Sequence, residues 1–228
     1  MAINNPYRLL QDIPDVIPVF PLPRALLLPR VELPLNIFEP RYLQMIEDVI
    51  RGDRVIGMIQ PNEPEENLSK TPQLYAVGCT GRLTNFGESG DGRYQVILTG
   101  VARFRIVEEV DAGTPYRQCK VSYNDFASDL VQGLGEDEVD RDALLKTLAN
   151  YLAANSIEAD WSGITQAPTE ALVNGLSLMS PFGVREKQAL LEAPDLRVRA
   201  QLLVAATEIA LAAGEADGED HAVVGEHG

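Results

Sequence analysis

Short apolar runs separated by Gly, Pro, Asn and Asp dominate the chain from Val16 to about Phe126. Val16-Ile-Pro-Val-Phe20, Arg54-Val-Ile-Gly-Met-Ile59, Tyr94-Gln-Val-Ile-Leu98 and Arg103-Phe-Arg-Ile-Val107 have the length and β-branched or aromatic content of strands. Prolines at 14, 18, 21, 23, 29 and 34 remove ladder donors, which favours irregular or edge strands and a distorted barrel over a sandwich. One helix interrupts the strands. Pro40 suits its first turn, Tyr42, Ile46, Val49 and Ile50 share a face, and Gly52 suits its end. Residues 60–73, with Pro61, Pro64 and Pro72, read as an exposed loop, and Asp91-Gly92 as a hairpin turn of positive φ.

Beyond about Asp129 the period changes from two to 3.6. Leu144, Leu145, Leu148, Tyr151 and Leu152 form one helical stripe; Leu172, Val173, Leu176 and Met179 a second; Leu196, Ala200, Leu203 and Ala210 a third. The predicted organisation is therefore α+β: a β-rich barrel with one inserted helix over 1–128, a helical bundle over 129–213, and a disordered acidic tail over 214–228 that Gly214 opens. No repeat of solenoid or propeller length is present.

Charge narrows the partners. The formal net charge of the 228 residues is −15. Only Glu215, Asp217, Glu219, Asp220 and Glu226 lie in the tail, so most of the excess is in the body. Such a surface repels phosphate backbones and anionic membranes, which argues against nucleic acid and membrane partners. The amino terminus lacks a basic region followed by an apolar stretch, and no window approaches a membrane span, so a cytoplasmic location is expected. Cys79 and Cys119 lie in strand-like runs and are expected to be reduced and buried.

Candidate chemistry is sparse. The histidines are His221 and His227, both in the tail, so the body offers no imidazole for a Ser-His or Cys-His pair and, with two separated cysteines, no plausible zinc site. Ser69-Lys70 adjoin in the exposed loop, where lysine keeps its ordinary pKa and cannot act as a base at neutral pH. Gly87, Gly90 and Gly92 precede a strand, not a helix, and form no phosphate loop. Neither a metal nor a cofactor is expected, and the chain is read as non-catalytic.

The most distinctive residues are Ile17-Pro-Val-Phe-Pro-Leu22, Leu28-Pro29 and Leu33-Pro-Leu-Asn-Ile-Phe-Glu-Pro-Arg-Tyr42. They resemble the opening of the Lon substrate-binding domain family. Val77-Gly-Cys-Thr-Gly81, Gly100-Val-Ala-Arg-Phe-Arg-Ile106, Pro115-Tyr116 and Glu186-Lys-Gln-Ala-Leu-Leu-Glu192 resemble its later blocks in order, so the likeness covers about residues 14–213. Arg30 stands where many members have Gly. The resemblance implies a PUA-like β pseudo-barrel followed by a C-terminal helical bundle, and a module that recognises unfolded or exposed polypeptide, in quality control or as an adaptor to an ATP-dependent protease. Full Lon proteases continue into an ATPase and a Ser-Lys peptidase, and this chain ends first, so a stand-alone module is expected. Candidate binding residues are Phe38, Glu39, Arg41, Tyr42, Arg103 and Arg105. Residues of the motif also have structural readings: Leu33, Leu35 and Ile37 as core, Phe38 packed under the helix, Arg41 paired with Glu39, and Arg103 and Arg105 on a solvated strand face.

Overall fold

The computed structural model describes residues 7–63, 69 and 71–223, which form two compact units. The first holds residues up to Gln132 together with Leu178–Glu192; the second holds Gly133–Ser177 and the chain from Ala193 onward. The expected boundary between barrel and bundle thus needs correcting, because one helix of the expected bundle groups with the strands.

The first unit contains β1 (Val16–Pro21), β2 (Glu32–Ile37), α1 (Pro40–Arg51), β3 (Val55–Ile59), β4 (Val77–Glu88), β5 (Tyr94–Val110) and β6 (Gln118–Ser122), with α5 (Val184–Glu192) returning to it. Strand order is β2-β5-β4-β3-β1-β6, and β6 pairs back onto β5 to close a barrel. β1 and β3 run parallel, Val19 opposite Gly57; the other pairings are antiparallel. The two runs Tyr94–Leu98 and Arg103–Val107, read separately in the sequence, are parts of the single strand β5. It bends where the register with β4 slips between Thr80 and Gly81. Gly100 sits at that bend because a Cβ there would collide with the Leu28 carbonyl. The core gathers Ile17, Val19, Val55, Ala102, Phe104, Cys119 and Val121. Both cysteines are free and buried, and burial pushes the Cys119 thiol up to about 11.

α1 begins at Pro40, as the sequence predicts, and its apolar stripe Tyr42, Met45, Ile46 and Val49 is buried. The Gly52 N–H closes its end on the Asp48 and Val49 carbonyls, at negative φ rather than in a left-handed cap. In the β4–β5 hairpin positive φ falls on Gly90 and Gly92, not on the Asp91-Gly92 pair. Arg24, Arg30 and Arg54 also adopt left-handed backbone, with φ of 59°, 67° and 58°. Arg30 adopts a conformation that glycine takes without strain, and its Nη1 donates to the Asp129 carbonyl at 2.6 Å.

Arg103 corrects another expectation. It is 2% exposed, and its Nε and Nη2 donate to the two Asp129 carboxylate oxygens at 2.9 and 2.8 Å. Nη1 donates to the Leu191 carbonyl at 3.0 Å, and the guanidinium lies 4.5 Å from the Phe126 ring centroid. Both faces of this part of β5 are covered: Phe104 points to the barrel core, while Arg103 meets α5 and the 3-10 segment Asn124–Leu130. α5 is also held through Gln188, which donates to Val77 O at 3.1 Å and accepts from Gln60 Nε2 at 3.0 Å. These bonds assign α5 to the barrel unit.

The second unit contains α2 (Arg141–Ala154), α3 (Trp161–Gln166), most of α4 (Thr169–Met179) and α6 (Leu196–Val223). Leu144 and Leu148 of α2 are buried, as are Leu196, Ala200, Leu203 and Thr207 of α6. Ala210 and Met179, expected on the buried stripes, are exposed, Met179 to 72%. α6 continues through Gly214 to Val223 where a disordered tail was expected, and residues 224–228, with His227, lie outside the described residues. Glycine weakens a helix by about 1 kcal/mol but does not by itself end one.

Asp129→Ala strands the buried Arg103 guanidinium and is expected to cost about 3–5 kcal/mol in urea unfolding. Arg54→Gly relieves left-handed strain and is expected to raise stability by about 0.5–1 kcal/mol, read as a higher melting temperature.

Candidate functional site

The β2 strand carries the Leu33–Tyr42 motif into α1, and its alternation decides what faces where. Leu33 and Ile37 are buried, Leu35 is half-buried, and Glu32, Pro34 and Asn36 are exposed. Phe38 follows at the turn and is 63% exposed, so it does not pack under the helix as expected. The turn places it beyond the last buried position of β2, while α1 fills its own underside with Tyr42, Met45 and Ile46.

Beside this turn lies a groove of about 380 Å³. It is lined by Pro34, Leu35, Asn36, Ile37 and Phe38 from β2 and the turn after it, and by Phe20, Pro21, Leu22 and Pro23 from the end of β1 and after it. Pro61, Ser69, Pro72 and Arg117 complete it, with Glu39, Arg41 and Tyr42 at the start of α1. Phe20 and Tyr42 stack with tilted rings, centroids 4.2 Å apart. Proline at so many lining positions leaves few backbone N–H donors, and the lining is mostly apolar.

Its two arginines are already neutralised. Arg41 Nη2 lies 2.9 Å from Glu39 Oε2, with the guanidinium 4.5 Å from the Tyr42 centroid. Arg117 grips Glu109 through Nε and Nη2, both at 2.7 Å, and its Nη1 donates to the Pro72 carbonyl at 2.6 Å. The hydrogen bonds from Arg117 hold the Glu109 carboxyl below its ordinary range. Burial raises the Tyr42 hydroxyl. The groove is thus apolar and internally charge-balanced, suited to an uncharged ligand.

Of the six residues singled out in the sequence, the groove unites Phe38, Glu39, Arg41 and Tyr42. Arg103 is buried elsewhere in the barrel, and Arg105 pairs with Asp125 at 2.8 Å on the surface. Among the described residues no group of three or more His, Cys, Asp or Glu is placed to hold a metal ion, and no helix is long and apolar enough to cross a membrane.

Residues 16–206 match the family described as ATP-dependent protease La (LON) substrate-binding domain. The chain belongs to the Lon substrate-binding domain family. Lon protease 2 of Myxococcus xanthus is 29% identical over 201 residues, covering 85% of this chain and 24% of that protein. Lon protease of Dictyoglomus thermophilum is 26% identical over 204 residues, again covering 24% of the relative. The chain therefore spans about a quarter of the length of the curated relatives it matches. Two solved structures share the fold: the N-terminal domain of a Mycobacterium avium complex Lon protease (TM-score 0.61, 16% identity, 85% of this chain and 98% of that one) and a Lon N-terminal domain protein from Xanthomonas campestris (TM-score 0.57, 22% identity, 83% and 97%).

Within this Lon-family domain, sequence reading overlooked Phe20, Leu22, Pro61, Pro72 and Arg117 as groove residues. Phe20 and Leu22 stood inside the opening motif and Arg117 beside Pro115-Tyr116, yet only the barrel brings these segments to α1. Because Glu109 is depressed in the folded state, its pairing stabilises the fold above the unfolded carboxyl pKa of about 4.3 and fades as pH falls through the lower folded value. Glu109→Gln is expected to show a shallower fall in melting temperature than the parent between about pH 5 and pH 3.

Proposed function

We propose that this domain is a polypeptide-recognition module whose groove beside the β2–α1 turn takes uncharged, extended segments of unfolded or exposed chain. Binding rather than cleavage is its contribution, and the bound segment is passed to, or withheld from, an ATP-dependent protease. The observation that carries this reading is the apolar groove itself, with Phe38 standing exposed at its rim and both rim arginines satisfied by carboxylates of the same chain. Apolar contact without a charge requirement accepts many sequences, as a receptor for unfolded chains must. Membership in a family described as substrate-binding supports the same reading.

Fluorescence anisotropy with labelled fragments of a reduced, alkylated protein tests it. The parent is expected to bind, Phe38→Asp to weaken binding at least about tenfold, as loss of an aromatic anchor does, and Arg105→Ala to leave it unchanged. Absence of measurable affinity in the parent across the fragments would overturn the proposal.

A further inference from the structure

The hydrogen-bond direction of β5 determines which backbone groups of β2 are open. Ser89 N–H donates to Arg93 O at 3.1 Å and Thr84 Oγ1 to Ile97 O at 3.2 Å, so odd-numbered residues in this part of β5 face β4. Gly100 N–H donates to Val31 O at 2.9 Å, so even-numbered residues face β2. Tyr94, Val96 and Leu98 are opposite Ile37, Leu35 and Leu33. In an antiparallel ladder these are the pairs that exchange hydrogen bonds, and the residues between them turn their backbone groups away. Glu32, Pro34 and Asn36 therefore point their backbone groups to the outer edge of β2, which pairs with no strand other than β5 among the described residues. That edge offers N–H and C=O at Glu32 and Asn36, and C=O alone at Pro34.

The same edge borders the groove, which Pro34, Leu35, Asn36 and Ile37 line. We infer that the segment bound in the groove adds to β2 as a further strand, hydrogen-bonded to Glu32 and Asn36 and meeting a missing donor at Pro34. This inference rests on the proposed polypeptide-binding function and specifies its chemistry: backbone recognition of an extended, uncharged segment. Alternate side chains of the added strand face the groove interior, toward Phe20, Leu22 and Tyr42, while the others face solvent. Backbone bonding makes the interaction tolerant of sequence, and the inward side chains favour apolar residues at every second position. Pro34 keeps the edge from being a complete template, so pairing is weakened and two copies of the domain are discouraged from joining edge to edge.

The test uses a short, uncharged, labelled peptide alternating Phe or Leu with Thr, and two derivatives N-methylated at one or the other set of alternate residues. One derivative is expected to lose at least about tenfold in affinity and the other to stay within about twofold, because only one set of N–H groups meets the edge. Pro34→Ala restores a donor and is expected to tighten binding about fivefold. Asn36→Pro removes one without touching the β5 ladder and is expected to weaken binding by a similar factor. A thermal melt checks that Asn36→Pro folds; if it does not, the methylated pair and Pro34→Ala decide the question. If both methylated peptides bind like the parent peptide and Pro34→Ala is silent, strand addition is wrong while polypeptide recognition stands. If the parent peptide does not bind while the unfolded-protein fragments do, strand addition is wrong and polypeptide recognition stands; if neither binds, both fail. A dimer that Asn36→Pro dissolves and the peptide does not displace would assign the edge to a second copy and overturn the inference.

Discussion

β5 bonds three neighbours: β2 and β4 along its first half, and β4 and then β6 after its bend. Closure of the barrel depends on that division. A strand of 17 residues cannot remain flat and serve neighbours on so many sides; the bulge opposite Thr80 and Gly81, with Gly100 pressed against Leu28, supplies the turn. Beyond the bend β5 turns away from β2 and continues to β6; on its other side β2 pairs with no strand among the described residues. The groove lies along that edge.

The buried Arg103–Asp129 pair secures the same bend from the opposite face. Its geometry satisfies Nε, Nη1 and Nη2 against the Asp129 carboxylate and the Leu191 carbonyl, which offsets the desolvation of placing charge inside a protein. Through Leu191 it fastens α5, a helix remote in sequence, onto the strands. The apparent motif Arg103-Phe-Arg105 is in this light architectural: one arginine locks the barrel and the other forms a solvent-exposed pair with Asp125.

The groove combines rigid walls with little polar demand. Proline recurs along the lining, fixing φ and withholding donors, and the arginines present are held by Glu39 and Glu109. Arg117 couples that neutralisation to shape, since the guanidinium that grips Glu109 also holds the Pro72 carbonyl at the groove wall.

Local pattern determined much of this. Alternating Leu33, Leu35 and Ile37, the Pro40 start of α1, the strand-like runs before Phe126 and the helical stripes after Asp129 follow from chain periodicity and proline sterics, which act over a few residues. The motif of residues 33–42 likewise marked four members of the groove. Tertiary structure alone decided the rest. Whether Arg103 faces water depends on α5, nearly ninety residues away, and on Asp129; whether Phe38 is buried depends on how α1 fills its underside; and Phe20, Pro72 and Arg117 meet only because the barrel closes. Periodicity reports which face of an element is apolar, but not which partner covers the other face, and long-range packing supplies that answer.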